Sequence, residues 1–209
     1  AGRQARGLAK LKVPFAILSV LLSRADSVKR SLDYIGWLKN DPQSADITDK
    51  TQRFQHILDN ASNSNVSTSI FSNLNKDVFY VFVPGFLWQI YPAYFDSTVN
   101  AFRRNGLQAK LCSQVGGASG IYENAAAIRR EILDAHLASN KSIVLVTHSK
   151  GGIDSAGALG LYKDELLPIV KGIVFCQCPF AGAPLATDLT GDPVHYTLAH
   201  WMRKYVRGT

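Results

Sequence analysis

The sequence has 209 residues, of which 46% are hydrophobic and 19% charged, and this composition excludes a disordered chain. The length and the apolar fraction predict one domain with one substantial core. The formal net charge is +7, but eight Lys or Arg against only two Asp are concentrated in residues 1–39. The rest of the chain holds 15 basic and 14 acidic side chains. A nearly neutral globular part argues against nucleic-acid binding.

Residues 1–40 form a basic segment with the pattern of an amphipathic helix. Pro14 suits a first helical turn, and apolar residues then recur at spacings of three and four over residues 14–38. The stripe includes Leu18, Leu21, Leu22, Val28 and Leu32. Two interpretations stay open: residues 1–39 dock on an anionic membrane surface or a protein partner, or the helix folds onto its own domain. The apolar run at 13–22 is too short for a membrane span, which needs about 20 residues.

Residues 41–76 are polar and predict a connection. A short helix is expected at residues 51–58, and the Ser- and Asn-rich stretch at 60–69 is typical of a flexible linker. The character of the sequence changes at Asp77, where six β-forming residues follow without polar alternation. Such a run is typical of a strand that is buried on both faces of a parallel sheet.

From residue 77 to 209 the pattern predicts an α/β core. Strands are expected at 78–83, 108–115, 143–146 and 171–178, and helices at 93–105, 122–138 and 151–161. Strands that alternate with helices of this length build a parallel, doubly wound sheet with right-handed crossovers.

Three cysteines, Cys112, Cys176 and Cys178, form an odd set without metal-finger spacing. A reducing, intracellular compartment therefore fits better than a disulfide framework. The basic, acid-poor residues before Pro14 also fit the remnant of a transit peptide, which would place the protein in a plastid or mitochondrion. No pattern in the sequence predicts a cofactor or a metal site.

The sharpest motif runs from Ile143 to Gly152, where an apolar strand leads through Thr-His-Ser-Lys into Gly-Gly and a helix. A serine nucleophile at such a turn needs small residues two positions before and two after it, so that strand and helix can approach. Thr147 and Gly151 occupy these positions around Ser149. An incidental serine or a phosphate-binding turn is the alternative, although the spacing of phosphate-binding glycine motifs is missing.

A serine hydroxyl is a weak nucleophile and needs donors for the developing oxyanion. One candidate is the backbone N–H of Lys150, at the helix N-terminus just after Ser149. The other is the N–H of Phe86, because Pro84-Gly85-Phe86 follows a buried strand and the glycine lets the backbone approach a substrate. The alternative for this second site is a plain turn that only ends the strand.

Three segments together resemble a known family. They are Pro84-Gly-Phe86, Thr147-His-Ser-Lys-Gly-Gly-Ile-Asp154 and Gln177-Cys-Pro-Phe-Ala-Gly-Ala-Pro-Leu-Ala-Thr-Asp188. They look like the lipase-like α/β-hydrolases of plants and bacteria with a Gly-His-Ser-Lys-Gly-Gly turn, over about residues 77–190. The resemblance implies hydrolysis of a carboxylic ester, of a lipid or another acyl group. It also implies Ser149 as the nucleophile, with Phe86 and Lys150 as oxyanion donors.

The sequence departs from that family in its acid and base. In such proteins they follow the serine in the order Asp then His, after further strands, and the pattern of this chain lacks those C-terminal strands. Downstream of the last predicted strand, the candidates are His195 and His200, with Asp188 and Asp192. We expect that neither imidazole reaches Ser149, and that the sheet edge at 171–178 is exposed or covered by residues 185–209 or 1–39.

Two functions therefore stay open. The first is a serine esterase or lipase of which this chain is the N-terminal part. The second is a catalytically incomplete hydrolase-like domain that serves as a structural or interaction subunit, with residues 1–39 as its docking element.

Overall fold

A computed structural model of the protein describes residues 48–60, 70–91, 93–180 and 182–183. The expectations for the basic segment 1–40, for the linker at 61–69, and for Asp188, Asp192, His195 and His200 fall outside these residues. Within the described ranges, no helix has the length and hydropathy that a membrane span requires.

Five helices and four strands lie wholly within the described ranges, with a short 3-10 helix at Trp88–Ile90. In chain order the main elements are α1 (Thr51–Asp59), β1 (Val78–Val83), α2 (Asp96–Arg104), β2 (Gln108–Leu111), α3 (Ile121–Ser139), β3 (Ser142–His148), α4 (Lys150–Leu161), α5 (Lys163–Leu166) and β4 (Val170–Cys176). The strands form one parallel sheet in the order β2-β1-β3-β4. β1 and β3 are the two inner strands.

The sheet has an apolar cluster on each face. On one face, Val81 and Leu145 pack with Ile128 and Ile132 of α3, and all four side chains are fully buried. On the other face, Phe82 packs with residues of α2 and of the segment before β1. Helices on both faces explain why β1 lacks polar alternation, because side chains on both of its sides are covered. The doubly wound arrangement predicted from the sequence is confirmed.

The core begins earlier than residue 77. Phe71 and Leu74 pack against the cluster that contains Phe82, and the Tyr80 hydroxyl donates a hydrogen bond to the Asn75 carbonyl oxygen at 2.9 Å. The last residues of the predicted polar connection therefore belong to the sheet's packing. The helix expected at 51–58 is confirmed as α1.

Two predicted elements were too long. The helix expected from residue 93 begins at Asp96, because Ala93 has a left-handed φ of 63° that a helix does not accommodate. The strand expected at 108–115 ends at Leu111, because the N–H groups of Ser113 and Gln114 donate to the Glu131 carboxylate instead of continuing the ladder.

β4 is less covered than the other strands. Among the described residues it pairs with β3 alone, and Val174 and Phe175 are 47% and 43% exposed. It ends at Cys176, two residues earlier than expected, since Gln177 has a φ of 52° that turns the chain away. Whether residues 185–209 or 1–39 cover this edge stays a prediction, because both segments fall outside the described residues.

Candidate active site

Ser149 lies on the turn between β3 and α4. β3 ends at His148, α4 begins at Lys150, and Ser149 between them has φ 53° and ψ −129°. This conformation is costly for a residue with a Cβ and persists only when the surroundings impose it. The Ser149 N–H donates to the Cys176 carbonyl oxygen at 2.9 Å, and its carbonyl accepts from the Gly152 N–H at 3.1 Å. The strained strand-to-helix turn expected from the sequence is confirmed.

Gly151 lets the start of α4 touch the backbone after β1, and Gly152 lets it touch the Cys178 side chain. A Cβ on Gly151 would lie 2.5 Å from the Val83 carbonyl oxygen and closer still to that of Pro84. A Cβ on Gly152 would lie 2.8 Å from the Cys178 Cβ and closer still to its Sγ. Both distances are far below ordinary contact, so the turn requires glycine at these positions.

Thr147 stands where related turns carry glycine, and the structure shows how the larger residue fits. Its side chain is fully buried, and its hydroxyl donates a hydrogen bond to the Val174 carbonyl oxygen at 2.9 Å. The polar atom therefore has a partner on β4, and the methyl group adds to the core. The departure from glycine leaves the turn intact.

The loop after β1 lies directly against Ser149. A Cβ on Gly85 would lie 2.8 Å from the Ser149 Cβ and 2.9 Å from the His148 carbonyl oxygen. Phe86 follows this glycine, and within the described ranges its N–H donates no hydrogen bond to the backbone. Trp88 anchors the loop, because its indole N–H donates to the Val115 carbonyl oxygen at 2.9 Å.

Lys150 directs its side chain into a buried polar network. Its Nζ lies 2.8 and 2.6 Å from the two carboxylate oxygens of Asp154, one helical turn further along α4. The Asn124 amide donates to Asp154 at 2.7 Å and exchanges hydrogen bonds with the Gly116 backbone. Burial raises the pKa of the Asp154 carboxyl, and the hydrogen bonds from Lys150 and Asn124 oppose this rise. Asp154 appeared in the sequence motif, but nothing there indicated its partners.

Both ring nitrogens of His148 have a hydrogen-bond partner. Its Nδ1 is hydrogen-bonded to the Tyr94 hydroxyl, and its Nε2 lies 3.0 Å from the Gln177 Oε1. Burial raises the pKa of Tyr94, and a backbone hydrogen bond with Gly85 opposes the rise. Nothing in the sequence indicated that Tyr94 and Gln177 contact His148, because they lie 54 and 29 residues away from it along the chain.

The base of a catalytic triad is not among the described residues. His56 is exposed on α1, and His136 Nδ1 lies 2.8 Å from the Lys141 carbonyl oxygen. His148 is engaged as above, so no described imidazole is hydrogen-bonded to Ser149. The expectation that His195 and His200 do not reach Ser149 stays a prediction. Within the same ranges no group of three metal-ligating side chains occurs.

Comparison with solved structures gives two similar chains. The metagenomic carboxyl esterase MGS0156 shares 32% identity at a TM-score of 0.50, over 55% of this chain and 34% of the esterase. Bacillus licheniformis lipase BlEst2 in its mature form shares 24% identity at a TM-score of 0.48, over 57% of this chain and 48% of the lipase. The chain thus spans about a third of the esterase and about half of the lipase. No protein-family model and no curated protein sequence matches it.

The described sheet is parallel, carries helices on both faces, and holds a serine in a strained turn after an inner strand. The chain is similar to a solved carboxyl esterase over 55% of its length. The chain therefore has the α/β-hydrolase fold.

Proposed function

We propose that the protein is a serine hydrolase that cleaves carboxylic esters, with Ser149 as the nucleophile. The observation that carries the proposal is the backbone of Ser149, with its φ of 53° at the junction of β3 and α4. A strained serine at this junction is the arrangement that presents a hydroxyl above the sheet of an ester hydrolase. The similarity to a carboxyl esterase supports the same reaction.

In the proposed reaction the Ser149 hydroxyl oxygen attacks the ester carbonyl carbon, and the carbonyl oxygen becomes an oxyanion. The N–H groups of Phe86 and Lys150 are the proposed donors to that oxyanion. Lys150 is the first residue of α4, where backbone N–H groups have no partner within the helix. Gly85 supports the role of Phe86, because it brings the loop after β1 against the Ser149 side chain.

The attack requires a base that accepts the Ser149 proton and returns it to the leaving alcohol. His148 does not fill this role, because both of its ring nitrogens have other partners. We propose that the base and its carboxylate lie after β4 in the chain, in the order that the fold imposes. In this sequence the candidates after β4 are His195 and His200, with Asp188 and Asp192, and our prediction that neither imidazole reaches Ser149 would exclude both as the base.

A lipid or another acyl ester is the proposed substrate class. Phe86 beside the Ser149 turn is 40% exposed, and Phe180 after β4 is 50% exposed and packs edge-on against Phe175. Exposed aromatic side chains at the carboxyl ends of the strands favour a substrate with an apolar acyl group.

The test is hydrolysis of p-nitrophenyl acetate, butyrate and octanoate by the full-length protein and by Ser149→Ala. Ser97→Ala, at an exposed position of α2, is the matched control. We expect hydrolysis by the wild type and by Ser97→Ala, and a loss of at least about a thousandfold in Ser149→Ala. Equal rates in the wild type and in Ser149→Ala would overturn the proposal. A full-length protein without any esterase activity would favour the alternative of a structural or interaction subunit.

Two further proposals concern location. Residues 1–39 are proposed to dock on an anionic membrane or a protein partner, because their basic residues flank an apolar stripe. A reducing compartment is proposed because Cys112, Cys176 and Cys178 are all free.

A further inference from the structure

A chain of hydrogen bonds joins the three loops around Ser149. Tyr94 lies in the segment between β1 and α2, and its hydroxyl lies beside Gly85 in the loop after β1. Tyr94 is hydrogen-bonded to His148 at the end of β3, and His148 lies 3.0 Å from the Gln177 amide oxygen after β4. Three consecutive strands of the sheet order, β1, β3 and β4, are thus tied together at their carboxyl ends.

The three side chains fix the direction of both hydrogen bonds. Gln177 Oε1 can only accept, so His148 Nε2 carries the proton and donates it to Gln177. A neutral imidazole with its proton on Nε2 accepts at Nδ1, so the Tyr94 hydroxyl donates to Nδ1. Every donor then has an acceptor, and the His148 ring is fixed in its Nε2–H tautomer.

Tyr94 is also close to the nucleophile. A Cβ on Gly85 would lie 3.2 Å from the Tyr94 hydroxyl oxygen and 2.8 Å from the Ser149 Cβ. The hydroxyl and the nucleophile therefore flank the same glycine. The Tyr94 ring is held in place by Phe95 at 5.2 Å and by the His148 ring at 5.5 Å between centroids.

We propose that Tyr94 is a positioning residue for the Ser149 reaction: its hydroxyl lies beside Gly85 and, through its hydrogen bond to His148, holds the loop after β1 against the serine turn. This inference rests on the proposed function. Gly85 directly precedes Phe86, so a shift of this loop away from the serine turn would move the Phe86 N–H away from a developing oxyanion. Such donors act on the transition state more than on the bound ester, so their misalignment lowers kcat and leaves KM nearly unchanged.

The experiment compares Tyr94→Phe with Tyr91→Phe in the full-length protein. Tyr91 packs against Tyr94, is 50% exposed, and loses the same hydroxyl group in its variant. With p-nitrophenyl butyrate we expect Tyr94→Phe to lower kcat by about tenfold or more, with KM within about twofold. Tyr91→Phe should match the wild type in both constants.

A second readout reports on the hydrogen bonds without catalysis. In 15N spectra of the histidine rings, His148 of the wild type should show an unprotonated Nδ1 and a protonated Nε2. Tyr94→Phe removes the donor to Nδ1, so the Nδ1 resonance should shift strongly, whereas Tyr91→Phe should leave it in place. A His148 ring with the proton on Nδ1 would overturn the chain of hydrogen bonds.

The outcomes separate the two proposals. Hydrolysis that survives in Ser149→Ala would overturn the proposed function and the role of Tyr94 with it. Hydrolysis that depends on Ser149 but proceeds at the wild-type kcat in Tyr94→Phe would overturn only the role of Tyr94. A loss in Tyr94→Phe that falls on KM with kcat unchanged would also overturn it, because positioning an oxyanion donor does not act on substrate binding alone.

Discussion

The two ends of helix α4 differ in what surrounds their glycines. At its start, a Cβ on Gly151 or Gly152 would come within 3 Å of other atoms. At its end, a Cβ on Gly160 would have nothing within 4 Å. The same residue type thus marks close contact at the start of the helix and open space at its end.

The difference indicates where the backbone packing leaves no room for a larger side chain. Gly151 and Gly160 lie on one helix, α4, and only the first touches the backbone of the loop after β1. The ion pairs at the two ends of α4 also differ in burial. Lys150 and Asp154 pair beside the serine turn with Asp154 buried, whereas Arg129 and Glu165 pair near the end of α4 with both side chains partly exposed. The close contacts are concentrated where we place the reaction.

The largest expected effect that would test this comparison comes from Gly151→Ala. The new Cβ would overlap the carbonyl oxygens of Val83 and Pro84, which belong to the backbone and cannot change rotamer. We expect the free energy of unfolding to fall by at least about 3 kcal/mol, or the variant not to fold. Urea denaturation measures the loss. A variant as stable as the wild type would show that strand and helix are not in close contact here.

Asp154→Asn should have the next largest effect. The variant amide cannot accept from Lys150 and Asn124 as the carboxylate does, so we expect a loss of about 1–3 kcal/mol in unfolding free energy. Because burial raises the folded pKa of Asp154, its contribution to stability is fully present below its ordinary pKa of 3.8 and declines as the pH rises through the folded pKa.

The stability advantage of the wild type over Asp154→Asn should therefore shrink as the pH rises across that window. Urea midpoints of both proteins at a series of pH values measure it. An advantage that grows with pH would mean that Lys150 outweighs burial and lowers the folded pKa of Asp154 instead.

The smallest effect is expected for Gly160→Ala, the matched control of Gly151→Ala on the same helix. With nothing within 4 Å of the new Cβ, only helix propensity changes. We expect a gain of about 0.5–1 kcal/mol in unfolding free energy. A loss comparable to that of Gly151→Ala would remove the contrast between the two ends of α4.

Much of the fold could be predicted from the sequence because its strands are short apolar runs between helical periodicities. The boundaries of β3 and α4 were correct within three residues, since the apolar run at 143–146 and the glycines at 151–152 are local signals. β2 was predicted too long because Glu131, which takes the N–H groups of Ser113 and Gln114, lies 17 to 18 residues away. Contacts of that range leave no local pattern.

In the candidate site, too, the local features could be predicted from the sequence and the long-range contacts could not. The position and the strain of Ser149 were predictable, because the turn depends on residues within a few positions of it. Tyr94 and Gln177 were not, since they meet His148 from 54 and 29 residues away. Asn124 and Asp154 are 30 residues apart and meet only because their helices pack together. No sequence spacing indicates such a pair.

The central claim is that the carboxyl end of the sheet is built around a reactive Ser149. A fluorophosphonate probe reacts with an activated serine and adds its phosphonyl group to the hydroxyl oxygen, so labelling of the full-length protein tests the claim directly. Peptide mapping by mass spectrometry should find the adduct on Ser149, at equal rates in the wild type and in Ser97→Ala, and none in Ser149→Ala. A full-length protein that stays unlabelled, or that is labelled equally in Ser149→Ala, would contradict the account.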